Sequence, residues 1–376
     1  MNPNTQELKV DVSKTLSENA YSISFLAAGV ERADGAQLAA NNPCEDRFNR
    51  FQTLHLWQSQ TWVAATIFDG HNGWQTAAHL EKVLLTVVRN KLNNLQPGSR
   101  TDRAIQNAIE EIFTDINDSL IGDFVGRATD KDLALEEKVQ YMHVALPGSC
   151  ALLLLYNPNS KTLYTACTGD SRDVLGQQTS DGHWLPEALS EDQNCGNEKE
   201  TARIRKEHPN EQNVIRNGKV LGMGVTRAFG NFRWKSSYEA QLELGKRFIT
   251  AGAMNKDDIP TPPYLTARPT VTARQLDAEL PAFVVLASDG LWYNCETREA
   301  VDLVVRWLEA QPESSLREMN MELRETPSTV WWKKRAPSQR RAIPAASIFL
   351  NGGTTLTFGF ERKGRRLKTW TMSRFI

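Results

Sequence analysis

The chain has 376 residues, of which 40% are hydrophobic and 24% are charged, and its formal net charge is −1. This length allows a substantial buried core, and the balanced charge excludes a protein whose whole surface is built for nucleic acid or an acidic partner. The five scattered cysteines contain no CxxC pair, which excludes a disulfide framework or a cysteine zinc site and indicates a reducing compartment.

The predicted elements begin with a short apolar run at residues 61–68, which indicates a buried strand and leads into Asp69-Gly70. Apolar positions at helical spacing then predict two amphipathic helices, one over residues 74–95 and one over residues 101–121. The first strand is therefore followed by a helix pair.

The middle of the chain favours strands. Residues 149–176 predict two antiparallel strands joined by an Asn-Pro-Asn-Ser turn, and residues 183–194 begin with another strand. A charged helix is predicted over 200–209, a buried strand that runs into Asp-Gly over 283–292, and an amphipathic helix over 297–311. Because strands and helices do not alternate, an α+β layered domain is favoured over a wound parallel sheet.

Acidic residues recur where apolar strands end. An aspartate at a strand end can bind a hard cation, and a following glycine lets the backbone carbonyl turn toward the same ion. Taken singly, each motif is more typical of a turn or a solvated loop than of a metal site, so the prediction of a magnesium or manganese site rests on their combination and order. The carboxylates concerned are those of Asp69, Asp289 and Asp170 and the adjacent pair Glu45 and Asp46.

Seven motifs, in this order, resemble those of the metal-dependent protein serine/threonine phosphatases of type 2C. They are CEDR (44–47), FDGHNGWQTA (68–77), GSCALLLL (148–155), CTGDSR (167–172), LSEDQN (189–194), GMGVTRAFGN (222–231) and ASDGLW (287–292). The resemblance covers about residues 28–310 and is strongest to the pyruvate dehydrogenase phosphatase branch, particularly its fungal members. It implies an α+β fold, a four-layer αββα sandwich of two antiparallel sheets flanked by helix pairs, with the metals at one end.

The resemblance also implies roles for individual residues. Asp69 would bridge two Mg²⁺ or Mn²⁺ ions, and a water activated by these metals would attack phosphorus while His71 acts as general acid for the leaving serine or threonine oxygen. The other residues implied as metal ligands or as holders of metal-bound water are Gly70, Asp289, Glu45 and Asp46.

Three further residues fall in matching motifs near the accessory metal position and the substrate flap of the family. They are Asp170, Asp192 and Arg227. The residues themselves leave alternatives open, because Asp170 would serve equally well as a turn cap and Arg227 as a structural ion pair.

The chain departs from the family pattern at several positions. Asn41 stands where the family often has a phosphate-binding arginine, and Asn231 stands where it usually has aspartate. No aspartate follows Asp302, although the family has an essential metal ligand just before its last strand. The nearest likeness is GGTTLTFGF at 352–360, which puts Thr354 at that position, so one of the two metals is expected to bind weakly.

We divide the chain into an N-terminal extension (1–25), a phosphatase-like domain (26–318) and a divergent basic C-terminal segment (319–376). Residues 333–376 carry eleven Lys and Arg against one acid, without helix or strand periodicity. The segment is interpreted either as a genuine regulatory or disordered divergence or as the product of a misread gene end. In both cases the last strand of one sheet is doubtful and an unsatisfied sheet edge is expected.

Two functions are compatible with these observations. One is Mg²⁺- or Mn²⁺-dependent hydrolysis of phosphoserine and phosphothreonine in proteins, with a mitochondrial dehydrogenase subunit such as pyruvate dehydrogenase as the implied substrate. The other is a catalytically impaired relative that binds phosphoproteins. The basic run at 363–368 is typical of a solvated tail, and neither a nucleic-acid partner nor a membrane span is expected.

The resemblance implies a mitochondrial location. The first 25 residues contain three acids and no arginine and do not predict an import sequence, so a cytoplasmic location is the alternative.

Overall fold

The computed structural model describes residues 20–37, 42–57, 59–248, 252–309, 347–348, 356–357 and 369–375. Two antiparallel sheets form its centre, one of six strands in the order β1-β2-β18-β15-β9-β10 and one of five strands in the order β14-β8-β7-β4-β3. The strands of the six-stranded sheet are β1 (Tyr21–Phe25), β2 (Val30–Gln37), β9 (Arg172–Gln178), β10 (Trp184–Ala188), β15 (Ala282–Ala287) and β18 (Thr369–Phe375). The strands of the five-stranded sheet are β3 (Arg47–Leu56), β4 (Gln60–Phe68), β7 (Ala151–Asn157), β8 (Thr162–Thr168) and β14 (Thr270–Gln275).

The remaining described strands are short. They are β5 (Gly70–His71), β6 (Gly148–Ser149), β11 (Ile215–Arg216), β12 (Lys219–Val220), β13 (Phe229–Gly230), β16 (Ser347–Ile348) and β17 (Leu356–Thr357). The α-helices of the described ranges are α1 (Gln75–Asn93), α2 (Asp102–Asp118), α3 (Phe124–Thr129), α4 (Leu135–Ala145), α5 (Glu198–Glu207), α6 (Phe232–Lys235), α7 (Tyr238–Phe248), α8 (Asp289–Trp292) and α9 (Thr297–Glu309).

Strand β4 shows why the sequence folds into layers. Side chains alternate across a strand, so Val63 and Ile67 belong to the core between the two sheets, while Trp62 and Phe68 belong to the core under the helices. Both faces are covered, which is why this strand is a continuous apolar run rather than an alternating one.

Helices α1 and α2 cover the outer face of the five-stranded sheet, as the apolar spacing predicted. The stripe of α1, which includes Leu80 and Leu84, meets the stripe of α2, which includes Ile109 and Ile112, in one buried cluster with that sheet. On the outer face of the six-stranded sheet, α9 packs against β9 and β10. The predicted α+β sandwich of antiparallel sheets is confirmed, as is the antiparallel β7–β8 hairpin.

The expectation of an unsatisfied sheet edge near the C-terminus is wrong. Strand β18 pairs antiparallel with β15 on one side and with β2 on the other, so its backbone groups on both sides enter the sheet. The strand that takes this place in the sheet is Thr369–Phe375. Of the 352–360 stretch, only residues 356–357 belong to the described part of the chain. Thr354 and Asn41 lie outside the described residues.

The segment between β10 and β14 carries a core of its own. We call residues 194–248 and 252–267 the flap. Its buried residues include Ile204, Val220 and Tyr264, and they form a separate apolar cluster with Cys150. Across the ranges that the structure covers, we find no helix with the length and apolar character needed to cross a membrane.

Candidate metal centre and active site

Three carboxylates meet at one end of the sandwich. Ligand atoms of Asp69, Asp170 and Asp289 all lie within 4.8 Å of one another, and Asp69 is only 1% exposed. Strands β4 and β8 run in the same direction because each pairs antiparallel with β7, so their C-terminal ends carry Asp69 and Asp170 to the same edge. Asp289 follows the end of β15, which pairs antiparallel with β9, the strand that begins just after Asp170.

The chemistry of this group fits a divalent cation. Three carboxylates so close together, one of them buried, repel each other unless a positive charge or protons compensate them. Carboxylate oxygens are the ligands that Mg²⁺ and Mn²⁺ prefer. The group formed by Asp69, Asp170 and Asp289 could therefore hold such an ion.

The residue after Asp69 has to be glycine because the backbone of Glu45 passes very close to it. A Cβ atom at Gly70 would lie 2.2 Å from the backbone carbonyl oxygen of Glu45, a distance that real contacts do not reach. The Glu45 carboxylate accepts a hydrogen bond from the Gly73 N–H at 2.7 Å. The Glu45-Asp46 motif thus packs against the Asp-Gly-His loop, although neither carboxylate belongs to the group of three.

A small three-stranded sheet positions His71. Strand β6 lies between β5, which contains His71, and β13, so the histidine is brought next to the residue that follows β13, Asn231. The His71 Nε2 and Asn231 Oδ1 atoms are 2.9 Å apart. A Cβ atom at Gly148 would lie 2.2 Å from both atoms, so this glycine leaves the room that the pair occupies.

The turn that carries Asp170 is held by a glutamine from the LSEDQN motif. Gln193 accepts a hydrogen bond from the Gly169 N–H at 2.7 Å and donates to the Cys167 carbonyl oxygen at 3.0 Å. The Cys150 thiol lies 3.5 Å from Asp170 Oδ1. Backbone and side-chain contacts thus fix this loop beside the end of β4.

Asp192 lies outside the group of three carboxylates. Its two oxygens each accept a hydrogen bond of 2.8 Å from Arg172. The same guanidinium stacks over the Trp292 ring and donates to the Thr297 hydroxyl. Arg172, the first residue of β9, therefore connects the loop that follows β10 with helices α8 and α9.

Arg227 forms an ion pair inside the flap. Its guanidinium binds the Glu200 carboxylate, which also accepts hydrogen bonds from Arg203 and from the Thr226 hydroxyl. Burial alone raises the pKa of Glu200, but the bonds from Arg227 and Arg203 outweigh burial and lower this pKa to about 2. These contacts favour a structural ion pair for Arg227, the alternative that the sequence left open.

A cavity of about 390 Å³ opens over the carboxylates. Asp69, Asp170 and Asp289 line it together with His71, and most of the other lining residues belong to the flap. One of these lining residues, Lys219, was not identified from the sequence. The pattern that could have indicated it is Asn-Gly at 217–218, which is typical of the turn in a two-residue hairpin and directly precedes Lys219.

Sequence comparisons relate this chain to known protein phosphatases. The family described as "Protein phosphatase 2C" matches residues 39–327. A protein phosphatase 2C homologue of Schizosaccharomyces pombe is 34% identical over 316 residues, which cover 82% of this chain and 70% of that protein. The mitochondrial [pyruvate dehydrogenase [acetyl-transferring]]-phosphatase 1 of Saccharomyces cerevisiae is also 34% identical, and its match covers 75% of this chain and about half, 52%, of that protein.

Solved structures support the fold. A serine-threonine phosphatase 2C from Toxoplasma gondii superimposes with a TM-score of 0.51 at 14% identity, covering 95% of this chain and 98% of that chain. A sex-determining protein of Caenorhabditis elegans gives the same TM-score at 18% identity, covering 76% of this chain and 57% of that chain. From the family match, the relatives and the sandwich with its cluster of aspartates, we conclude that the chain belongs to the protein phosphatase 2C family.

Proposed function

We propose that this protein hydrolyses phosphoserine and phosphothreonine in proteins and that it requires Mg²⁺ or Mn²⁺. The observation that carries the proposal is the convergence of Asp69, Asp170 and Asp289 within 4.8 Å in a cavity that also contains His71. Carboxylate ligands and a histidine in one cavity are the parts that metal-assisted hydrolysis of a phosphate ester needs.

Each residue has a part in this proposal. Divalent ions bound by Asp69 and its neighbours would supply positive charge to the phosphoryl oxygens and lower the pKa of an attacking water. His71 would hold the proton that the departing serine or threonine oxygen requires, and Asn231 would keep the imidazole ring in place. Glu45, through its bond to Gly73, would keep the Asp-Gly-His loop in one conformation.

The test is hydrolysis of a phosphoserine peptide and of p-nitrophenyl phosphate with added Mn²⁺. We expect activity in the wild-type protein and a loss of at least about 100-fold in Asp69→Asn, because this change removes the most buried charge of the group. Asp132→Asn, at an exposed residue, is the matched control and should leave the rate unchanged. Peptide binding without turnover in the wild-type protein would instead support the impaired, phosphoprotein-binding alternative.

For the substrate, we propose a phosphorylated subunit of a mitochondrial dehydrogenase, pyruvate dehydrogenase in particular. The support is the 34% identity with the Saccharomyces cerevisiae phosphatase named for that substrate, and the bovine enzyme of the same name is 35% identical over 54% of this chain. This substrate implies a mitochondrial location. Dephosphorylation of the purified phosphorylated complex, compared with an unrelated phosphoprotein at equal concentration, tests the substrate, and cell fractionation tests the location.

A further inference from the structure

The cavity over the carboxylates is strongly asymmetric in charge. Asp69, Asp170 and Asp289 contribute three formal negative charges to its lining, and their ligand atoms lie within 4.8 Å of one another. Among the residues that line this cavity in the described part of the chain, Lys219 is the one with a fixed positive charge. A phosphate monoester that enters the cavity is an anion and will be attracted to the lysine while metal-free carboxylates repel it.

Lys219 is held on a short, well-defined hairpin. Strands β11 and β12 pair antiparallel, with Ile215 opposite Val220 and Arg216 opposite Lys219. The two connecting residues, Asn217 and Gly218, both have positive φ angles, of 52° and 70°, as a two-residue hairpin turn of the primed type requires. The side chain of Lys219 is exposed, while Val220 beside it is buried in the flap core.

Other cations near the site are already engaged. Arg172 binds the Asp192 carboxylate, and Arg227 binds Glu200. Arg47 donates two hydrogen bonds of 2.7 Å to backbone carbonyl oxygens of its own loop. Within the described residues Lys219 has no such ion pair or hydrogen bond, so its ammonium group can bind an incoming anion without breaking a contact of the protein.

We propose that Lys219 is a substrate-binding residue that contacts the phosphoryl group of the phosphate monoester. A cavity of about 390 Å³ has the size of a small-ligand site, and Lys219 lines it together with the three aspartates, so a phosphate bound in this cavity would lie against both kinds of side chain. This inference rests on the function proposed above and adds to it a binding contact supplied by the flap.

The experiment compares Lys219 with its cross-strand neighbour Arg216. Arg216 lies on the same hairpin but lines a different cavity, between Leu221 and Asp258, so Arg216→Ala removes one positive charge from the hairpin without changing the aspartate cavity. Steady-state kinetics are measured with p-nitrophenyl phosphate and with a phosphoserine peptide for the wild type, Lys219→Ala, Lys219→Arg and Arg216→Ala.

We expect Lys219→Ala to raise KM about tenfold for both substrates, as loss of one charge-assisted hydrogen bond predicts, with a much smaller change in kcat. Lys219→Arg should recover most of the loss, and Arg216→Ala should resemble the wild type. An unchanged KM in Lys219→Ala, or an equal effect in Arg216→Ala, overturns the inference while the wild-type activity leaves the proposed function intact. An effect on the peptide alone also overturns it, because the contact would then be with the peptide rather than with phosphate.

If the wild-type protein shows no turnover, the proposed function fails, and the inference is tested by binding. Fluorescence anisotropy with a labelled phosphoserine peptide should then show about tenfold weaker binding to Lys219→Ala than to Arg216→Ala. Equal affinities of these two variants would overturn the inference.

Discussion

His71 and Asn231 are 160 positions apart in the chain, yet their side chains are 2.9 Å apart in the structure. The position of Asp69, Gly70 and His71 at the end of a buried strand was predicted correctly. An apolar strand followed by Asp-Gly is a local pattern, which can be recognised without knowing how the strands pair. The partner of the histidine depends on how β5, β6 and β13 pair, and such short strands carry no periodicity from which pairing could be predicted.

Asn231 should therefore matter for the proposed catalysis. It adopts a left-handed conformation, with φ of 56°, which asparagine and glycine tolerate better than alanine. We expect Asn231→Gly to lower kcat by about 10- to 100-fold with little change in KM, because the imidazole of His71 loses its support. Asn231→Ala should show the same kinetic loss together with a lower melting temperature. Normal kcat in the glycine variant would contradict a role in placing His71.

Asp173 offers a test of charge burial. Burial raises the pKa of this carboxyl to about 6 from its ordinary 3.8, although hydrogen bonds from Thr165 and Ser190 act in the opposite direction. The folded protein then binds the proton more tightly than the unfolded chain, so the free energy of unfolding falls as pH rises from 3.8 to about 6 and stays low above it.

For this reason Asp173→Asn should stabilise the protein at pH 8 by roughly 1–3 kcal/mol and give no advantage below pH ~4. Urea unfolding at the two pH values measures the difference, with the exposed Asp132→Asn as control. A variant that is less stable than the wild type at pH 8 would show that the hydrogen bonds of the carboxylate outweigh the cost of its burial.

Among the elements, the helices and long strands were the most predictable. Helices α1 and α2 follow from apolar residues at helical spacing, and both begin and end within three residues of the predicted bounds. The flap could not be derived in the same way, because its core is assembled from short segments and its charged contacts are long-range. Glu200 and Arg227 are 27 residues apart, and no local pattern pairs them.

The ion pair between Glu200 on α5 and Arg227, which lies just before β13, should be sensitive to acid. Because the pKa of Glu200 is about 2 in the folded protein against 4.5 ordinarily, its stabilising contribution is complete above pH 4.5 and is lost as pH falls toward 2. We expect Glu200→Gln to lower the unfolding free energy by roughly 2–3 kcal/mol at pH 7, with a deficit that shrinks between pH 4.5 and 2.

The control for this prediction is Glu207→Gln. Glu207 also binds Arg203, but its side chain is 49% exposed, so the loss should stay within about 0.5 kcal/mol. Urea unfolding from pH 7 to pH 3 measures both variants. Equal losses in the two variants would mean that burial of the Glu200 pair does not strengthen it.

For the molecule as a whole, metal binding should be visible without any turnover. A cation that binds only the folded protein raises its melting temperature, by about 5 °C when the ion is present at 100 times its dissociation constant. Thermal unfolding with about 1 mM Mn²⁺ and with excess EDTA should therefore differ in the wild type. The difference should vanish in Asp69→Asn and persist in Asp192→Asn, since Asp192 pairs with Arg172 outside the group of three carboxylates.

Strand β18 gives a second prediction for the whole fold. Thr371 pairs with Leu286 on one side and with Gly35 on the other, so it lies inside the six-stranded sheet. Proline has no N–H to donate and is not accommodated in a central strand, so Thr371→Pro should lower the unfolding free energy by about 3 kcal/mol or more. Thr371→Val keeps the N–H and is the control; equal stability of the two variants would exclude β18 from the sheet.

The order of this sheet also affects how the protein can be assembled during synthesis. The β1–β2 ribbon comes early in the chain, yet within the six-stranded sheet it reaches the other strands only through β18. While the ribosome is still translating the residues before 369, β2 pairs with β1 on one side only, and its other side presents an open edge. We therefore expect the nascent chain to recruit chaperones through this ribbon until β18 emerges from the exit tunnel and inserts between β2 and β15.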